Sequence, residues 1–425
     1  MRLSVSNVVS FMFLAAVSLA LFLSGAGLNL LGLNYSGNEG AGGLKVHPYV
    51  WFTVGAVLVL VLRRTAGPSA WSCRSFRTPI ACSVFTIAVL ILKAIVTGAQ
   101  ALGFAVDTIL AMFWIAAVAP FMDQRTVRRT LRLGLAFVIL ESAMAIFEVV
   151  TQTQFIPIDT WYGSYFRATA LHGHPLNNAL ILVTVAVALQ LSGTSAISIL
   201  VFVLTTAALS AFGARGALMV YLTLNALMSI RFGLRSVGRM ALVSLGAPFA
   251  IGLVGWMLAS GMLGDRIANV GAYDSSSGVR LQSVEILNYL DWRSVLAGTD
   301  PDAVSRMMDR ADIGVIENFL VAYVLMFGLG CTLLLLACIW ICLRRIAHDR
   351  DARTRRRLSV MFVAFFMTAM TNNSLATKTP ALYLCAVFAW AAGREMDRRR
   401  QKPPRAREAF EGGLPASSTE DVRDR

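Results

Sequence analysis

The stretch "HGHPLNNALILVTVAVALQLS" (172–192) passes from polar to apolar residues within a few positions. It begins with two of the four histidines of the chain, His172 and His174. The apolar run 177–191 that follows predicts a membrane-spanning helix. Similar apolar runs recur along the chain, so this stretch indicates the fold class. It also places two of the few histidines at the start of a predicted span.

The composition is that of an integral membrane protein. Of 425 residues, 56% are hydrophobic and 15% are charged, and the mean hydropathy is +0.65. Soluble domains carry roughly 25% charged residues. The N-terminal apolar stretch is longer than that of a signal peptide, so we interpret it as the first span. The pattern predicts an all-α polytopic membrane protein with about twelve transmembrane helices, at 8–30, 47–62, 79–98, 102–121, 133–150, 177–191, 196–212, 217–230, 240–262, 318–342, 358–376 and 380–393.

The net charge of +14 indicates orientation rather than nucleic-acid binding, because the arginines are concentrated in alternate short loops. By the positive-inside rule these loops and both termini are cytoplasmic; they are 63–77, 123–132, 231–239 and 344–357. The segments 151–176, 213–216 and 263–317 then face outwards, into the periplasm of a Gram-negative cell. We expect a transmembrane domain over 1–393 and a disordered basic tail over 394–425.

The outer loop 263–317 is long enough to carry function or structure of its own, since loops beyond about 12–15 residues are uncommon. Within it, residues 279–290 have a helical apolar periodicity. This periodicity predicts a short amphipathic helix on the membrane surface, with one face formed by Val279, Ser283, Ile286, Leu287 and Leu290.

Polar residues on the outer side form the candidate site. Arg167 precedes the two histidines, Pro175 keeps His174 extended, and Asn177 is placed to cap the next helix. Arg215 stands between two glycines in a tight turn. Charge near membrane depth is usually functional, and flanking glycines would let a ligand approach the backbone.

Two further outer positions complete this set. Arg280 opens the amphipathic segment, and Glu317 and Asn318 stand where the next span begins; helix capping is the alternative role of this last pair. Arginine binds diphosphate through planar donors, and a nearby carboxylate or imidazole can accept a proton from a sugar hydroxyl. The set therefore suits glycosyl transfer from a lipid-linked sugar diphosphate.

A metal site is a weaker interpretation. Catalytic zinc needs three protein ligands, of which His172 and His174 supply two. Asp159 would have to complete the set, so we expect no metal.

Four charged residues lie inside predicted spans: Lys93, Asp107, Glu141 and Glu148. Glu141 and Glu148 are seven residues apart and share a helix face. Such groups can form a transport pathway. We favour internal ion pairing, with Lys93 bound to Glu141 or Asp107.

The outer motifs, in their order along 160–345, resemble the O-antigen ligase and polysaccharide polymerase (Wzy-like) family. The similar stretches are "RATALHGHPLNNA", "SAFGARGAL", "SSSGVRLQSVEILNYLDWRSVLAGT" and "ENFLVAYVLMFGLG". The first is most similar to the exopolysaccharide polymerase branch, of the VpsF type. The resemblance implies a GT-C-like fold and an inverting, metal-independent membrane glycosyltransferase without a cofactor. Its donor would be a polyprenyl-diphosphate-linked glycan.

The resemblance also implies site residues. Arg215 and Arg280 would bind the diphosphate, and Arg167, Asn177 and Asn318 would contact substrate. Glu317 occupies the position of the family's histidine, so the base is either Glu317 or one of His172 and His174.

The function implied is polymerisation of lipid-linked repeat units into exopolysaccharide at the periplasmic face of the inner membrane. Its partners would be membrane lipid and other polysaccharide assembly and export proteins. The alternatives are an O-antigen-type glycan ligase and, in another class, a transporter or flippase for lipid-linked glycans.

Overall fold

The computed structural model describes residues 5–33, 35, 45–62, 70–97, 103–157, 166–233, 252, 282–314 and 316–401. Within these residues the chain forms helices and loops and no strand. The helices are α1 Val5–Phe22, α2 Gly25–Leu30, α3 Pro48–Leu62, α4 Arg74–Thr97, α5 Gly103–Phe121, α6 Gln124–Thr151, α7 Pro175–Ser192, α8 Ser195–Ala211, α9 Arg215–Gly233, α10 Trp292–Ala297, α11 Pro301–Arg310, α12 Phe319–His348, α13 Ala352–Ala369 and α14 Ala381–Gln401.

Six of these helices are long and apolar enough to cross a membrane: α1, α4, α5, α6, α7 and α12. The shorter helices α3 and α8 are also apolar. Helices suit the interior of a membrane because they pair their backbone polar groups internally, where no water is present to bind them. The prediction of an all-helical membrane protein is therefore confirmed. The predicted span 240–262 lies outside the described residues, apart from position 252.

Helix α7 lies at the centre of the bundle and packs against α6, α8, α13 and α14. Its apolar residues from Ala179 to Leu189 are buried. A helix that is apolar on every side lies either inside a packed core or within a membrane, and the burial of α7 shows that protein surrounds it here. The run 177–191 thus forms the central helix of the bundle.

Several predicted boundaries are wrong. The predicted span 8–30 is broken after Phe22, because Ser24 starts a new helix by accepting a hydrogen bond from the Gly27 N–H at 2.9 Å. Helix α7 begins at Pro175 with His174 as its N-cap, so Asn177 lies in the first turn and does not cap the helix. Proline suits the first helical position because its missing N–H would have no intrahelical partner.

The described parts of two basic loops, 63–77 and 344–357, meet at one end of the bundle, which we call the basic end; Ser75 Oγ lies 3.5 Å from Asp349 Oδ2 there. Arg350 from the α12–α13 loop pairs with Asp397 of α14 at 3.2 Å. Arg399 of α14 donates to the Gly193 carbonyl at the C-terminus of α7, at 2.8 Å. This carbonyl carries the negative end of the α7 dipole, which a cation stabilises. Two of the loops that the charge pattern groups together are therefore in contact.

Helix α14 extends the folded domain past its predicted end. It continues to Gln401, with Glu395 bonded to Arg398 at 2.6 Å and to Gln124 of α6 at 3.1 Å. Residues 394–401 are therefore part of a packed helix and not of a disordered tail, which corrects the predicted boundary at 393. The remaining residues of the predicted tail, 402–425, lie outside the described residues.

The described part of the outer loop, 282–314, has a small apolar core of its own. Ile286 and Ile313 are buried against Val321 and Leu325 of α12. The predicted helical face over 279–290 is present in part, because Ser283 and Ile286 are both buried. That face packs on protein rather than on the membrane surface, which corrects its predicted environment. Arg280 and Val279 lie outside the described residues.

Helix α12 is interrupted at Gly328, whose φ of 76° is left-handed. The end of α10 packs into this break, where a methyl group on Gly328 would collide with the Leu296 carbonyl. Next to it, the Thr299 N–H donates to the Leu325 carbonyl at 2.7 Å. The interruption therefore lets the outer segment pack into the bundle alongside α12.

Candidate functional site

Two of the motifs that we predicted to face outwards are joined directly. The Ala168 N–H donates to the Ala211 carbonyl at 3.1 Å, and Arg167 Nε donates to the Phe212 carbonyl at 2.9 Å. The 166–174 loop is thereby fixed to the 212–214 turn between α8 and α9. Arg167 is almost fully buried, at 5% exposure. The guanidinium of Arg167 thus lies beside the turn that leads into Arg215.

The 212–214 turn has the hydrogen bonds of a Schellman motif. The Gly213 N–H donates to the Ser210 carbonyl at 2.9 Å, and the Ala214 N–H donates to the Leu209 carbonyl at 3.1 Å. Gly213 has a φ of 60°, which glycine adopts without steric cost. Because the turn is so tight, Arg215 becomes the first residue of α9. Arg215 is half-buried there, at the positive end of the helix dipole.

The second glycine beside Arg215 has a packing role that the sequence did not reveal. A methyl group at Gly216 would lie 2.7 Å from Thr371 Cβ, at the end of α13. The absence of a side chain therefore allows α9 to approach the 370–380 loop. We expected the glycines to admit a ligand, but at Gly216 the close neighbour is protein.

Glu148 organises the 166–174 loop from within the bundle. Its Oε2 accepts hydrogen bonds from the Thr169 N–H at 2.6 Å and the Ala170 N–H at 2.9 Å. Its Oε1 accepts from the Phe155 N–H at 2.7 Å and from Thr169 Oγ1 at 3.2 Å. The side chain is fully buried. In a helix or sheet these N–H groups would donate to backbone carbonyls. In this irregular buried loop the Glu148 carboxylate accepts their hydrogen bonds instead.

Glu141, one heptad earlier on α6, binds the same loop. Its Oε2 accepts from the Leu171 N–H at 3.2 Å, and Oε1 is buried without a hydrogen-bond partner among the described residues. The prediction that Glu141 and Glu148 share a helix face is confirmed. The hydrogen bonds of Glu141 and Glu148 fix the position of the 166–174 loop and therefore that of Arg167.

The predicted ion pairs of Lys93 are wrong. Lys93 Nζ donates to the Ala297 carbonyl at the end of α10, at 2.9 Å. Asp107 instead accepts hydrogen bonds from the Tyr35 hydroxyl and from the His47 N–H. Lys93 and Asp107 each bind groups in a distant segment of the chain. The hydropathy pattern gave no indication of which segment this would be.

The two histidines of the loop have different surroundings. His172 is buried, and its Nε2 lies 3.1 Å from the Leu21 carbonyl near the end of α1. Burial lowers the pKa of His172 to about 4. His174 is the N-cap of α7, and burial together with the Arg167 guanidinium lowers its pKa to about 4. Both rings are neutral at pH 7, and the Leu21 contact favours a structural role for His172.

The other predicted site residues lie at element boundaries. Asn318 is the N-cap of α12, and its Oδ1 accepts from the Leu320 N–H at 2.9 Å. The capping alternative for Asn318 is therefore confirmed. Glu317 is half-buried, and its backbone N–H donates to Ser283 Oγ at 3.3 Å. Asn177 is half-buried in the first turn of α7, and Arg280 lies outside the described residues.

We predicted a site role for Asn177, but the asparagine whose side chain holds the 166–174 loop is its neighbour, Asn178. Asn178 is fully buried, and its Nδ2 donates to the Thr169 carbonyl at 2.5 Å. This bond ties the start of α7 back to the loop. A pair of adjacent asparagines in the sequence does not reveal which one faces inward until the helix start is known.

The hydropathy pattern did not predict the 370–380 loop, because the predicted span 358–376 covers more than half of it. Asn372, Ser374 and Thr379 are buried there. The Tyr323 hydroxyl of α12 donates to the Leu375 carbonyl at 2.7 Å. The run "TNNSLATKTP" (371–380) is polar enough to have indicated a structured loop between α13 and α14.

Chemically, the joined loop and turn can hold an anion and a neutral proton acceptor. Arg167 and Arg215 supply guanidinium groups, and His174 supplies a neutral ring near Arg167. Among the described residues, no group of three or more His, Cys, Asp and Glu side chains could hold a metal ion. No protein-family model matches the sequence, and no curated protein matches it either.

Proposed function

We propose that this protein is a metal-independent polysaccharide polymerase of the bacterial inner membrane. It would join polyprenyl-diphosphate-linked repeat units into exopolysaccharide at the outer face. We further propose a GT-C-like bundle of about twelve spans with both termini in the cytoplasm, where the basic end is favoured by the positive-inside rule. Its partners would be the lipid-linked glycan, membrane lipid and other polysaccharide assembly and export proteins.

The observation that carries the proposal is the direct contact between the 166–174 loop and the 212–214 turn. It brings the buried Arg167 to the turn from which Arg215 begins α9. Guanidinium groups beside a helix N-terminus form a setting suited to diphosphate. We assign the leaving diphosphate to Arg215 and Arg280, with Arg167 supporting the site.

The attacking sugar hydroxyl must lose a proton as the glycosidic bond to the diphosphate breaks and the new bond forms. Glu317 and His174 are our candidates for the base that accepts this proton. We prefer Glu317 because the resemblance places it at the position of the family's histidine. The half-buried Asn177 would contact the acceptor sugar.

The experiment is a glycan-length assay in a deletion strain that carries Arg215→Gln. Arg306→Gln is the matched control, because Arg306 is exposed on α11 and has no assigned role. We expect single lipid-linked repeat units to accumulate with Arg215→Gln and full-length polymer with the control. Full-length polymer from an Arg215→Gln protein that reaches the membrane in normal amount would refute the assignment.

The same strain separates the two enzymatic candidates. Loss of a polymerase leaves single repeat units on the lipid carrier, whereas loss of a ligase leaves finished chains on it. Glycan chain length in the lipid extract of the deletion strain therefore decides between them.

A transporter would need ionisable groups that face a pathway. Glu148 instead accepts three hydrogen bonds from the 166–174 loop and one from the Phe155 N–H, and Asp107 is held by Tyr35 and His47. These contacts favour a structural role. The transporter would replace our proposal if Asp107→Asn abolished activity in a well-folded protein while Arg215→Gln did not.

A further inference from the structure

The end of the short helix α10 contacts two long helices, α4 and α12. The Ala297 carbonyl accepts a hydrogen bond from Lys93 Nζ of α4 at 2.9 Å. The Leu296 carbonyl faces the break in α12 at Gly328. Both α4 and α12 are long and apolar enough to cross a membrane. The depth of α10 in that membrane therefore follows from its level along each of them.

The two long helices place α10 at the same level. Lys93 follows Arg77 of α4 by 16 residues, and Gly328 precedes Arg344 of α12 by 16 residues. Arginine is strongly disfavoured in hydrocarbon, so Arg77 and Arg344 mark the membrane boundary at the basic end. A helix rises 1.5 Å per residue, which puts both contacts about 24 Å from that boundary, or less if the helices tilt. Because the hydrocarbon core is about 30 Å thick, the end of α10 lies inside it, in the leaflet opposite the basic end.

The backbone of residues 292–299, which we call the tip, has the hydrogen bonds that this depth requires. Irregular backbone is tolerated in the hydrocarbon region only where protein satisfies its polar groups. Lys93 donates to the Ala297 carbonyl, and the Thr299 N–H donates to the Leu325 carbonyl at 2.7 Å. A cation also stabilises the negative end of a helix dipole. These contacts give the lysine inside an apolar helix a role in holding the tip at this depth.

The tip exposes an aromatic and an apolar side chain. Trp292 is 68% exposed and Leu296 is 52% exposed. Because α10 rises by only about 8 Å between Trp292 and Ala297, Trp292 lies within the hydrocarbon or at its boundary. Tryptophan is enriched at that boundary. The Arg293 guanidinium lies 5.9 Å from the centroid of the Trp292 ring, and the length of an arginine side chain allows its charge to reach the head groups.

We propose that the tip is a re-entrant element that inserts into the leaflet opposite the basic end. Leu296 lies among the acyl chains, and Trp292 lies where they meet the head groups. Asp291 and Arg293, at the start of α10, reach the head-group region. This insertion is deeper than the surface helix predicted over 279–290 and uses other residues. It rests on α4 and α12 crossing the membrane and is independent of the proposed polymerase activity.

The first test is the fluorescence of Trp292 in the full-length protein reconstituted into phosphatidylcholine vesicles. Subtracting the emission of Trp292→Phe isolates this residue among the eight tryptophans of the chain. Bromine on the acyl chains quenches tryptophan in hydrocarbon, whereas iodide quenches tryptophan in water. We expect brominated lipid to remove most of the Trp292 emission and iodide to leave it unchanged. Arg306→Trp in the Trp292→Phe protein is the matched control, because Arg306 is exposed on α11, and it should respond in the opposite way.

The second test leaves Trp292 in place. The photoreactive residue p-benzoylphenylalanine at position 296 should form a covalent adduct with phospholipid on irradiation in the same vesicles. At position 306 it should form none. The proposal is wrong if iodide quenches Trp292 and brominated lipid does not, or if neither quencher reaches it. A cross-link from position 296 to protein instead of lipid would overturn the choice of lipid as the occupant of this surface.

Discussion

Replacing Glu148 by glutamine tests whether this residue holds the 166–174 loop in place. The two carboxylate oxygens divide three backbone donors between them, with the Phe155 N–H on Oε1 and the loop N–H groups of Thr169 and Ala170 on Oε2. A glutamine has one acceptor oxygen and one NH₂ group. Whichever way its amide is turned, the NH₂ group faces at least one buried N–H donor.

The expected cost follows from these contacts. A hydrogen bond to a charged acceptor contributes about 1.5–3 kcal/mol, and an unsatisfied buried donor costs about 1–3 kcal/mol. Glu148→Gln loses one or two such bonds and leaves at least one N–H group unsatisfied. We therefore expect it to lower the free energy of unfolding by on the order of 3 kcal/mol. Glu148→Ala should cost more, because it removes all four acceptor contacts.

The assay is reversible unfolding of the purified protein in mixed micelles of increasing SDS content, followed by hydrogen exchange at the 166–174 loop. Glu285→Gln is the matched control, because Glu285 is exposed and substitutions at such positions usually change stability by less than about 0.5 kcal/mol. The amides of Thr169 and Ala170 should exchange faster in Glu148→Gln. The reasoning is wrong if Glu148→Gln loses no more stability than the control and leaves those amides protected.

Two further predictions concern stability. Gly328→Ala should destabilise the protein by more than about 2 kcal/mol, because a left-handed residue gains a methyl group that collides with the Leu296 carbonyl. Gly330→Ala, with open space around it, should be neutral or stabilising by up to about 1 kcal/mol; similar losses in both variants would contradict this view of the break. Burial lowers the pKa of His47 and His172 from 6.5 to about 4. Between these pH values the unfolded chain binds more protons, so stability should be complete above pH 6.5 and fall towards pH 4, by about 1.4 kcal/mol per pH unit per histidine. His172→Gln should reduce that slope, and a flat unfolding free energy between pH 7 and 5 would exclude the effect.

Hydropathy predicted the helices well because burial in a membrane depends on runs of residues, which the sequence displays directly. It failed where a single polar residue redirects the chain within an apolar run. Ser24 ends the first span early by capping a new helix, and the 370–380 loop begins inside a predicted span. In both places a local hydrogen bond or turn overrides the average apolar character.

The sequence predicted that two segments of the candidate site share one end of the bundle, but it did not predict their contacts. Alternation of basic loops placed the 151–176 and 213–216 segments on one side, and the bond between Arg167 and Phe212 brings the two together. The partners of the buried charges were not predictable. Lys93 and Ala297 are 204 residues apart, and no periodicity relates them.

The sequence by itself determined the class of this protein, its helical content and which loops carry positive charge, because these properties arise from each segment's own composition. Only the tertiary structure decided that Glu141 and Glu148 bind the loop before α7, that His172 contacts the end of α1, and that α7 is the central helix. Those outcomes depend on which buried donor meets which acceptor once the helices are packed. An apolar run must be kept away from water. Whether lipid or other helices surround it, and which helices these are, depends on the shapes and polar groups of the whole bundle.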